Sequence, residues 1–267
     1  MENLGIGQVS GLAIFGMVVS GIIAFILPIV LAVIIRKKTK AWIPSLFIGA
    51  GVFFVFAYIL ESLFNRIMLS TLGDKLTSNI LIYALYGGLT AGLFEEFGRF
   101  IAMKTLMKKH LRKENSLMYG VGHGGAEAIA MVGITMVSNL VVAAMINSGQ
   151  IVETLSVFKG AELETAIKQI APLWTTPAGD FFISGAERIL SIGLHICLSY
   201  LVYRAAKQKK GIFLLTAIAL HALVDGLVVL INKLYSVYIA EAACFVMVAA
   251  ILVATIIMYR KESDTDY

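Results

Sequence analysis

Apolar runs of twenty or more residues recur along this chain, at roughly 11–35, 42–65, 80–103, 117–146, 180–203, 211–231 and 236–259. Each is long enough to cross the roughly 30 Å hydrocarbon core of a bilayer as a helix. In lipid only helices and closed barrels satisfy their own backbone groups, and none of these runs alternates with the dyad period of a barrel strand. Composition agrees: 59% of the 267 residues are hydrophobic and 15% charged, against roughly 25% charged in soluble domains. The expectation is an all-α, polytopic membrane helical bundle of about seven transmembrane helices, a multi-pass protein of the cell membrane. Residues 1–267 then form a single transmembrane domain with no separate soluble part. Met1 to Ser10 lacks the basic region of a signal peptide, so the first run reads as a retained helix. Cys197 and Cys244 lie in apolar stretches without metal-ligand spacing and read as small buried hydrophobes.

Charge placement predicts the orientation. Arg36, Lys37, Lys38, Lys40, Lys104, Lys108, Lys109, Arg112, Lys113, Arg204, Lys207, Lys209, Lys210, Arg260 and Lys261 follow alternate spans, whereas the opposite side carries Arg66, Lys75, Lys159, Lys168 and Lys233. Fifteen against five puts the N-terminus outside and the C-terminus in the cytoplasm. The basic clusters are thus topological and not a nucleic-acid footprint. The long connection, 147–179, falls outside and reads as an amphipathic outer loop. Its segment Glu153 to Ile170 reads as one surface helix, broken at Pro172 and Pro177.

Within the spans, ionisable residues come in pairs about four apart, so each pair shares one helix face: Glu95 and Glu96 with Arg99, His123 with Glu127, Glu187 and Arg188 with Ser191 and His195, and His221 with Asp225. Such groups cost several kcal/mol in hydrocarbon and therefore face protein or a water-filled cavity. At about 1.5 Å of rise per residue, Glu95, His123, His195 and His221 all lie roughly 10–15 Å from the cytoplasmic ends of their helices. One intramembrane site, in a core spanning 80–231, accounts for that shared depth. Three histidines with carboxylates suit a bound zinc ion, with His123, His195, His221 and Glu127 as ligands. They equally suit metal-free hydrolysis, a carboxylate activating water beside a histidine. Gly120, Gly122, Gly124 and Gly125 read as a small-residue packing face. Glu187 and Arg188 read as a structural ion pair.

Glu95-Glu96-x-x-Arg99, Tyr119-x-x-x-His123 and His221-x-x-x-Asp225 resemble the three motifs of the CAAX-prenyl-protease and bacteriocin-processing (CPBP/ABI) superfamily of intramembrane proteases. Gly120 to Ala128, Gly-x-Gly-His-Gly-Gly-x-Glu-Ala, is similar to its bacterial YhfC-type branch. The first motif here has two residues between the glutamates and the arginine where the superfamily has three, and Tyr119 stands for phenylalanine. The resemblance implies an intramembrane peptidase of metallo- or glutamic type acting on a membrane protein or lipidated peptide. Glu95 would activate water, Glu96 and Arg99 would orient it, and His123, His221 and Asp225 would complete the site. A different class, a proton-coupled transporter or channel, also uses intramembrane Glu, His and Asp. A relay strings acids across the membrane, whereas hydrolysis gathers them around one water.

Overall fold

A computed structural model describes residues 4–262 of the chain. The two chain ends, to which the expected orientation refers, lie outside the described residues. Among the described residues seven long helices are apolar enough to cross a membrane: α1 (Gly11–Thr39), α2 (Pro44–Leu72), α3 (Ile80–Lys104), α4 (Lys113–Ser148), α5 (Ala178–Gln208), α6 (Gly211–Leu234) and α7 (Val237–Lys261). The protein is an all-helical, multi-pass membrane protein, and among the described residues no strand is found.

Helix boundaries have local causes. α1 runs four residues beyond its apolar stretch because Arg36, Lys37 and Lys38 occupy its last turn, where cations favour the negative end of the helix dipole. α2 opens on Pro44, whose missing N–H costs nothing in a first turn. The Asn79 side chain caps α3 by accepting from the backbone N–H of Leu81 at 2.9 Å and of Ile82 at 3.3 Å. Two spans contain wider π-helical turns that periodicity does not announce, Phe53–Glu61 in α2 and Ala128–Gly133 in α4.

The 147–179 connection differs from the single amphipathic helix expected there. It holds three short helices, Ile151–Leu155, Gly160–Ile170 and Pro172–Thr175. The first break falls where Lys159 is extended and Gly160 takes φ +54°, a left-handed conformation that glycine adopts without strain. The Gly160–Ile170 helix ends just before Pro172, which opens the next short helix, and that one stops at Thr176, held extended before Pro177.

The chain divides into two compact units. In the one formed by residues 4–26 and 128–188, Asn147 ties down the entry to α1. Its amide oxygen accepts from Val9 N–H and its amide nitrogen donates to the Val9 carbonyl, both at 2.9 Å. Ser20 donates to the Phe181 carbonyl, and Glu187 and Arg188 bond to each other.

In the unit formed by residues 27–127 and 189–262, α5 from Ile192 to Ala206 is the buried axis, with Cys197, Leu198, Tyr200 and Val202 fully enclosed. Cys197 and Cys244 are both buried, and neither is in a disulfide. Glycines set the helix spacing around this axis. A Cβ on Gly122 would lie 1.9 Å from the Leu46 carbonyl oxygen of α2, and one on Gly120 would lie 2.6 Å from Ile196 Cα of α5. α4 is therefore pressed backbone to backbone on both neighbours, which places its polar face deep in the unit. The end of α7 is fastened by Glu262, whose carboxylate accepts from the Tyr200 and Tyr203 hydroxyls at 2.5 and 2.9 Å.

Candidate active site

α3 buries two adjacent carboxylates, although neighbouring helical residues point about 100° apart. It does so because glycines let it be gripped from two directions. A Cβ on Gly92 would lie 2.8 Å from the Ile218 carbonyl of α6, and Gly98 abuts the Phe56 ring in the π-helical stretch of α2. Glu95, Glu96 and Arg99 are all buried, while Phe97 between them is 47% exposed.

Each carboxylate meets a histidine from another helix. His123 Nε2 lies 2.8 Å from Glu95 Oε2, an N–H donating to the carboxylate. His221 Nδ1 donates to Glu96 Oε1 at 2.9 Å, and its Nε2 lies 3.3 Å from Asp225 Oδ2, one turn further along α6. His195, on α5, is held on three sides. The Arg99 guanidinium donates to its carbonyl oxygen and to its Nδ1, both at 3.1 Å, and its Nε2 lies 2.5 Å from Glu127 Oε2. Ser191 donates to the other oxygen of Glu127 at 3.2 Å. The three rings form a row, His123 and His195 with centroids 4.9 Å apart and His195 and His221 5.4 Å apart. Phe53 and Tyr119 flank His123.

All eight residues singled out from the sequence thus belong to one bonded cluster. Three of them, Glu95, His195 and His221, offer one potential metal-ligand atom each with all three within 4.8 Å of one another. His123 and Glu127 bond to members of that trio but do not belong to it.

Glu61, an acid near the outer end of the second apolar run where an interfacial carboxylate is ordinary, ends the π-helical stretch of α2 within electrostatic reach of Glu95, His221 and Asp225. Asn65, one turn on, donates to Glu61 at 3.2 Å and accepts from the Tyr86 hydroxyl at 2.5 Å. The Glu61-x-x-x-Asn65 spacing was the available signal. Its weakness is that the π-helical turns move Glu61 off the face that a regular helix would give it.

The cluster holds four carboxylates, Glu95, Glu96, Glu127 and Asp225, and one guanidinium, Arg99, which lies 3.5 Å from Glu96. Buried charge requires compensation, so this donor set leaves room for further positive charge. His221 makes the point locally: with a carboxylate at each ring nitrogen, a neutral imidazole can donate to only one of them. A second proton or a metal ion must face the other.

Comparison with known proteins agrees with this architecture. A family model described as YhfC intramembrane metalloprotease matches residues 23–253. The Bacillus subtilis (strain 168) membrane protein YhfC, described as uncharacterized, is 38% identical over 255 residues, covering 94% of this chain and 96% of its own length. No solved structure matches. With its seven spans and a buried histidine–carboxylate cluster on four of them, the chain belongs to the YhfC intramembrane metalloprotease family.

Proposed function

We propose that the protein hydrolyses a peptide bond of a membrane protein or lipidated peptide within or next to the bilayer, at the point where Glu95, His195 and His221 meet. The observation that carries this reading is the convergence of one carboxylate oxygen and two imidazoles, from three helices, within 4.8 Å. Two histidines and a carboxylate form a donor set that suits zinc and leaves a coordination position for water. The flanking groups fit the same purpose. Glu96 takes the Nδ1–H of His221 and Glu127 faces the Nε2 of His195, the outer carboxylates that fix ring orientation around a metal. When bound, the metal supplies a Lewis acid that polarises a carbonyl and acidifies water.

The remaining roles follow from accessibility. Asp225 has a side chain 40% exposed, whereas the Glu95 side chain is 9% and the Glu96 side chain 0% exposed. In this reading Asp225 receives the proton from the attacking water and returns it to the leaving amine. His123 holds the Glu95 carboxylate from behind by its Nε2–H, and Arg99 stands between Glu96 and His195 as the guanidinium of the cluster. Glu95 therefore stands with the ligands, and His123 and Glu127 orient. The acids gather in one cluster instead of forming a file across the membrane, which favours hydrolysis over a proton relay.

Peptide termini in membranes of cells expressing wild type or Glu95→Gln test the reading. Mass spectrometry should find new termini in or beside membrane spans with wild type alone, and purified wild type should hold about one zinc. Identical termini in both membranes would reject peptidase activity, while cleavage that survives chelators would reject the metal and return Glu95 to the role of base.

A further inference from the structure

His195 and Arg99 stand in a relation that the metal reading makes consequential. A guanidinium has only donors and keeps its charge. Its NH2, 3.1 Å from His195 Nδ1, therefore assigns the ring's lone pair to Nδ1 and its proton to Nε2, which faces Glu127. Nδ1 is also the ring nitrogen that faces Glu95, 3.9 Å from Oε2. A guanidinium and a metal ion cannot both use that lone pair.

On its other side, Arg99 has an unmade bond. Arg99 Nε and Glu96 Oε2 are both buried without a hydrogen-bond partner, and the two side chains are wholly enclosed. NH2 and Glu96 Oε1 are 3.5 Å apart, too long for a good hydrogen bond. The two residues are one turn apart on α3, so a small shift of the guanidinium would close the paired fork, Nε on one oxygen and NH2 on the other. Departure would not strand the His195 carbonyl, because Ser199 also donates to it, at 2.6 Å.

We propose that Arg99 is a two-position counter-cation of the metal centre: in one position it occupies His195 Nδ1, and in the other it forks onto Glu96 and leaves Nδ1 to the metal. The proposal rests on the metal reading above. It makes Arg99 a positioning residue whose movement admits the ion. Glu96 couples the two histidines, since the oxygen that receives the fork also accepts from His221 Nδ1.

Zinc affinity of the purified full-length protein in detergent, measured by competition with a chromophoric chelator, tests this. The variant Arg99→Met/Glu96→Gln removes the competing donor without leaving a buried lone charge, and the glutamine oxygen still accepts from His221. Its zinc dissociation constant should fall about tenfold or more below wild type, the worth of one charge-assisted hydrogen bond. Adding His195→Ala should abolish the gain. A merely structural role for Arg99 would weaken binding, so the direction of the change is diagnostic. Wild type that binds one zinc together with a double variant that binds it no tighter overturns the proposal and leaves the metal reading standing. No zinc on either protein rejects both. Wild-type protein labelled with 15N-arginine gives a second measurement, independent of how the variants fold. Zinc should move the Arg99 Nε–H resonance as it pairs with Glu96, and an unmoved resonance in zinc-loaded protein overturns the proposal.

Discussion

Replacing Gly122 by alanine tests how the site is held, because the substitution adds one methyl group at the tightest approach in the unit. The new Cβ would lie 1.9 Å from the Leu46 carbonyl oxygen, whereas ordinary van der Waals contact begins near 3.4 Å. The obstacle is backbone, which cannot swing aside as a side chain can, so α2 and α4 must separate by about 1.5 Å, the difference between those distances. Overpacking of this kind costs about 1–3 kcal/mol. His123 is the next residue, and its 2.8 Å bond to Glu95 would stretch to as much as about 4 Å if α4 takes the displacement. Its edge-on contact with Phe53 would open if α2 does. Gly51→Ala on α2 is the internal control, since nothing lies within 4 Å of its Cβ and alanine has the better helix propensity by about 1 kcal/mol. Thermal unfolding in detergent and Glu95-dependent cleavage are the two readouts. Gly122→Ala should melt several degrees below Gly51→Ala and lose most of its cleavage. Equal melting of the two would refute the claim that backbone contact sets this spacing.

Asp225→Asn should lower cleavage by about a hundredfold or more, the usual worth of a general base, while zinc content stays unchanged; a loss of zinc in parallel would make Asp225 a ligand instead. Single cysteines at Ser156 and Lys109, both exposed, should react with an impermeant reagent from opposite sides of intact cells, Ser156 from outside. Labelling of both from one side would overturn the charge-based orientation. Glu262→Ala removes the carboxylate that accepts from the Tyr200 and Tyr203 hydroxyls and should destabilise the protein by about 1–3 kcal/mol, read as a lower melting temperature with zinc content retained. An unchanged melting temperature would deny the C-terminal anchor any energetic role.

Much of this was legible in the sequence because bilayer thickness and the cost of buried charge are strong constraints. Apolar runs located all seven spans. The i, i+4 spacing of His221 and Asp225, or of His123 and Glu127, placed each pair on one helix face without tertiary information. What escaped depended on irregular backbone. The π-helical turns at 53–61 and 128–133 carry no compositional mark, and the first determines where Glu61 points. The break at Lys159 and Gly160 was hidden because the hydrophobic spacing on either side fits one helix nearly as well as two.

The division of labour within the cluster was illegible for a deeper reason. A histidine's chemistry is decided by which ring nitrogen keeps its lone pair, and that is set by whatever bonds the other nitrogen. His123, His195 and His221 look alike in sequence, each with a carboxylate nearby. Yet His123 turns Nε2 to Glu95, His221 turns Nδ1 to Glu96, and His195 has Arg99 at Nδ1 and Glu127 at Nε2. Every one of these partners comes from a different helix than its histidine. Spacing along one helix can therefore nominate the residues of such a site, but the partners that assign the nitrogens enter only when the helices pack. That packing rests in turn on glycines such as Gly92, Gly98 and Gly122, which bear no chemistry of their own. A variant that leaves every ionisable group in place and changes only a glycine is thus expected to disable the centre as effectively as loss of a ligand.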